Sequence, residues 1–176
     1  MNATDSRDRQ PGAALPRVTV ARDASIVALT VAAWTLDTAL AGRAGREVPV
    51  LGVVTGLATA LVGFLAHEWG HLAGALLAGS RVHFPNRLTA PLLFHFDVEH
   101  NDRRRFLAMS YGGFAASALA LIVMVALFPA DRVAGRTALV LAGVGTVVSL
   151  VAEVPTAIRV ARGAPLPTGY AFTPPR

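Results

Sequence analysis

Apolar residues fall along this chain in four long blocks. Ala24–Ala41 carries one acid, Asp37, and Val48–Ala66 is uncharged and runs on through His-Glu-Trp-Gly-His to Gly79. Phe106–Ala130 is uncharged throughout, and Thr137–Ile158 holds one ionisable residue, Glu153. Each block is near or above the roughly 20 residues a helix needs to cross about 30 Å of hydrocarbon. No strand-like alternation interrupts them, and leucine, alanine and valine dominate, so helices are expected. Backbone groups cannot stay unpaired in lipid. The pattern therefore predicts an all-α membrane protein, a bundle of four transmembrane helices.

The connection between the second and third blocks is the longest. Its pieces Arg-Val-His-Phe and Leu-Leu-Phe-His-Phe-Asp-Val-Glu-His alternate in part, broken at Pro85-Asn86 and Pro91. A small β-like, hairpin-type element is expected there. Three regions follow: a flexible tail over 1–23, a transmembrane core over 24–163, and a C-terminal tail over 164–176.

Composition agrees. The 176 residues are 53% hydrophobic and only 15% charged, below the quarter or so usual for soluble domains. Cysteine is absent, which excludes disulfides and thiolate metal sites. The net charge of +5 comes with no basic face interleaved with aromatics, so no nucleic-acid partner is implied. All basic residues are arginine, and they flank the apolar blocks. Twelve of them (7, 9, 17, 22, 81, 87, 103, 104, 105, 159, 162 and 176) fall on one side of the expected bundle, and four (43, 46, 132 and 136) on the other. That asymmetry predicts a multi-pass protein of the cell membrane with both termini and the long middle loop in the cytoplasm.

The second block contains the residues with chemistry. His67 and His71 lie four apart, on one helix face and one turn from each other. Two imidazoles at that spacing can share one Zn2+, and Glu68 can reach a metal-bound water as general base. A chance match on an exposed helix is the plain alternative. Ionisable groups inside an apolar span are costly, however, and point to function. A catalytic zinc site normally needs a third protein ligand. His95, Asp97, Glu99 and His100 in the middle loop, and Asp37 and Glu153 in apolar blocks, are the candidates. At 1.5 Å per residue, His67 lies about 28 Å along its block and Glu153 about 24 Å along its own, in the same direction. Asp37 falls nearer the opposite face. Depth favours Glu153 as the ligand; pairing with Arg159 or hydration at the membrane edge is its other explanation. Pro155, two residues on, is expected to interrupt helical hydrogen bonding locally.

With His-Glu-Trp-Gly-His in an apolar helix, the small-residue stretch Ala108–Ile122 (AMSYGGFAASALALI), and a last apolar block bearing an acid, the chain resembles the site-2 protease family of intramembrane zinc metalloproteases. The likeness spans the second to the fourth block, in a minimal form. It implies hydrolysis of a peptide bond in or near a transmembrane helix of a membrane-protein substrate within the lipid bilayer. It also implies that His67 and His71 bind zinc and that Glu68 is the catalytic base. The family's last core helix usually supplies an Asp from an Asp-Gly pair as third ligand. Here no such pair occurs, and Glu153 stands as the substitute. A non-catalytic membrane scaffold and a metal-binding or transport protein are the rival functions.

Overall fold

A computed structural model describes residues 17–85 and 92–172. Four long helices form: α1 Arg17–Ala44, α2 Pro49–Leu77, α3 Arg103–Leu127 and α4 Val133–Ala161. All four are long and apolar enough to cross a membrane. Their outward faces carry exposed Leu29, Leu119, Ile122, Val147 and Val151. A belt of that kind is rare on a soluble monomer and suits a multi-pass membrane protein.

Helix ends follow local chemistry. Pro49 opens α2 where its missing N–H is not needed. Gly79, at φ +70°, ends α2, and Ser80 N–H returns to the Ala75 carbonyl at 2.9 Å. Asp102 caps α3 by accepting from the Arg105 N–H at 2.9 Å. Pro155 does not break α4, which continues to Ala161. Proline has no N–H to donate, so the helical hydrogen bond it would make is missing while the helix carries on.

Helix α2 sits at the centre and packs on the other three. Its close approach to α3 needs glycine. A methyl at Gly70 would meet Ala116 and the Gly112 carbonyl, and one at Gly74 would meet the Ala108 carbonyl. Helix α1 is stitched to α2 at two heights by tryptophan N–H groups. Trp34 donates to Thr59 at 2.9 Å, and Trp69 donates to Asp23 at 2.8 Å. The second contact changes the expected boundary. Residues 17–23 belong to α1, because Asp23 is buried and held by Trp69. The rest of the expected tail, 1–16, lies outside the described residues.

The middle loop forms a two-stranded antiparallel element, β1 Val82–His83 with β2 His95–Phe96, pairing Val82 with Phe96 and His83 with His95. It is shorter than the alternation suggested, and residues 86–91 lie outside the described residues. Val82, Leu93 and Phe96 join Leu72, Phe106 and Val160 in a core at this end of the bundle. Asp97 fastens the loop. His83 Nε2 and His100 Nδ1 donate to its Oδ2 at 3.1 and 2.8 Å, and the Glu99 N–H donates to Oδ1 at 3.1 Å. Burial pushes the Asp97 carboxyl up, but the hydrogen bonds from His100 and His83 outweigh it and hold the group below its ordinary value. A pKa lowered by folding stabilises fully above the unfolded value, near 4, and that contribution disappears as pH falls through the folded value. Asp97→Asn at pH 7 is expected to cost about 1–3 kcal/mol and to speed amide exchange at residues 95–101. Unchanged exchange would show that this cluster does not hold the loop.

Candidate metal centre

His67 and His71 project from α2 toward α3, whose backbone fixes their orientation. His71 Nδ1 lies 3.0 Å from the Met109 carbonyl, and His67 Nδ1 lies 3.2 Å from the Gly113 carbonyl and 2.8 Å from Ser117 Oγ. The two helices run antiparallel, so imidazoles one turn apart on α2 meet carbonyls one turn apart on α3. A carbonyl only accepts, so both rings carry their proton on Nδ1. This leaves two Nε2 atoms, 3.0 Å apart, each with a free lone pair. Gly113 makes room for the arrangement, since a methyl there would run into the His71 ring.

Glu153 comes in from α4. Its Oε1 lies 3.1 Å from His67 Nε2 and its Oε2 lies 3.1 Å from His71 Nε2. The three residues form the group among the described residues whose ligand atoms all fall within 4.8 Å of one another. Unprotonated nitrogens and a carboxylate about 3 Å apart match the spacing set by bonds of about 2 Å to one divalent ion. The donor set is two imidazoles and a carboxylate with ordered second-shell acceptors, and it fits Zn2+ chemically.

The other candidate ligands lie elsewhere. Asp97 is engaged by His83 and His100 in the loop, and His95 is buried in β2. Asp37 pairs with Arg132 at 2.7 Å at the opposite end of the bundle, in keeping with its expected place near the other face. Arg159 bonds Thr156 and not Glu153, whose side chain keeps 34% of its surface exposed.

Glu68 points to the loop side of the pair. Glu68, His71 and Glu153 line a cavity of about 300 Å³ together with Phe94, Phe96 and Phe106. A smaller cavity of about 70 Å³ touches His67 from the other side, between α2, α3 and α4.

Nothing local in the sequence marks Met109, Gly113 and Ser117 as the partners that orient the histidines. The small residues at 70, 74, 112 and 113 marked the close α2–α3 face that would have located them. No family model, curated protein or solved structure matches this chain. Fold and site together define a bundle of four long apolar helices enclosing a His/His/Glu constellation, with a second glutamate facing the adjoining cavity.

Proposed function

We propose that this chain is an intramembrane zinc metalloprotease of the site-2 protease type, hydrolysing a peptide bond in or near a transmembrane helix of a membrane-protein substrate. The observation that carries the reading is the convergence of His67 Nε2, His71 Nε2 and the Glu153 carboxylate inside an apolar bundle, with Glu68 on the wall of the cavity beside them. Lipid rejects isolated groups of this kind, and a catalytic role accounts for all four together. His67, His71 and Glu153 are the ligands of the ion, which when bound supplies Lewis acidity and a water of lowered pKa.

Every other task belongs to the chain. Met109 and Gly113 carbonyls keep the imidazoles in the Nδ1–H form that leaves Nε2 free to bind. Glu68 takes the proton of the attacking water and returns it to the leaving amine. Its place on α2, one residue after His67, puts that carboxylate on the cavity wall. The apolar walls limit bulk water. Arginine placement orients the bundle, with the β element and the chain after α4 in the cytoplasm and the arginine-poor turns around 45–48 and 128–132 outside.

The test is cleavage of a reporter carrying one transmembrane helix by the purified protein in micelles. Cleavage lost on chelation and restored by Zn2+ supports the reading. A protein loaded with stoichiometric zinc that leaves the reporter intact argues for a metal-binding scaffold or transporter instead.

A further inference from the structure

The chain does not leave the bundle when α4 ends. Gly163, at φ +104°, turns it at a conformation other residues rarely adopt. Residues 164–168 then run without regular structure, with Pro165 and Pro167 favouring an extended path. A short 3-10 turn at Tyr170–Phe172 contacts β2. Leu166 and Phe172 pack on the core beside β2 and α3, and the Phe172 ring lies 6.0 Å from that of Phe106. Pro167, Ala171 and Phe172 form one wall of the same 300 Å³ cavity that Glu68, His71 and Glu153 line on the other.

That cavity is at the bottom of the range of about 300–1,000 Å³ typical of small-ligand sites. A stretch of another protein's backbone with its side chains needs more, and one wall is the irregular segment after α4. We propose that residues 164–172 are a tethered competitor for the substrate groove, a strap that must lift before a peptide segment reaches Glu68. Phe172 then holds a subsite, walled by Phe96 and Phe106, that takes an aromatic or comparably large apolar residue of that segment. This inference rests on the reading of the centre as a peptidase. Only nine residues separate Glu153 from Gly163, where the strap starts. A short tether gives an effective concentration on the order of millimolar, so a contact of even millimolar strength keeps the strap seated about half the time.

The chain has no cysteine, so Ser110→Cys, a near-isosteric change on the cavity wall, provides a single thiol in the full-length protein. Its labelling by a water-soluble maleimide is expected to speed up at least about tenfold when Leu166→Asp and Phe172→Asp unseat the strap. A fluorescent peptide copying residues 164–172 is expected to bind the unseated protein and not the wild type, and to bind less well with alanine in place of its phenylalanine. Phe172→Ala alone, with a smaller rise, keeps the question answerable should the two charges unfold the bundle. In proteins without the added thiol, unseating is expected to raise reporter cleavage, and the peptide to inhibit it. Equal labelling rates with and without the strap, or measurable cleavage that unseating leaves unchanged, overturns the proposal. If the thiol is exposed and the peptide binds but no variant cleaves the reporter, the strap stands and the peptidase reading fails.

Discussion

Glu68→Gln is expected to leave the helical bundle and its zinc content unchanged while lowering reporter cleavage by about 10²–10⁴-fold. The two side chains have nearly the same shape. What disappears is the capacity to take a proton from water and pass it on. Glu68 is not among the converging ligand atoms, so the metal should be retained. Cleavage rate and zinc stoichiometry measured on the same preparation separate these two roles. Equal processing by both proteins would remove Glu68 as the base.

Glu153→Ala is expected to act on the ion itself. His67 and His71 would remain, held by the α3 carbonyls, but two nitrogens do not complete a zinc site. The apparent zinc affinity should fall by more than about a hundredfold, beyond the 10–100-fold usual for losing a second-shell partner. Arg159→Ala is the matched control, because Arg159 contacts Thr156 and not the carboxylate. It should leave zinc content unaltered. Stoichiometric zinc in the Glu153 variant would take the carboxylate out of the coordination set.

The two expectations differ in how far they were legible beforehand. Glu68 follows from its place beside His67 in one helix, a matter of local spacing. Glu153 is separated from His67 by 86 positions. Depth arithmetic pointed to it, but only the packing of α4 on α2 set its two oxygens against the two imidazoles. Asp37 shows the same limit from the other side. Its charge in an apolar block marks it as needing a partner, yet Arg132 becomes that partner only because α4 begins beside α1's far end. The start of α1 was misplaced for a similar reason. Asp23 looks like a solvated tail residue until Trp69, on another helix, buries it.

By itself, the sequence determined that four long apolar helices form, roughly where each lies, and the face that carries His67 and His71. Those properties depend on hydropathy summed over a window and on 3.6-residue periodicity, both of which neighbours along the chain settle. Tertiary structure alone decided which nitrogen of each histidine holds the proton, which acid meets them, and that the segment after α4 folds back over the cavity. Those outcomes depend on distances between groups far apart in the chain. Such distances are set by how closely glycines let α2 and α3 approach and by where Leu166 and Phe172 find apolar surface.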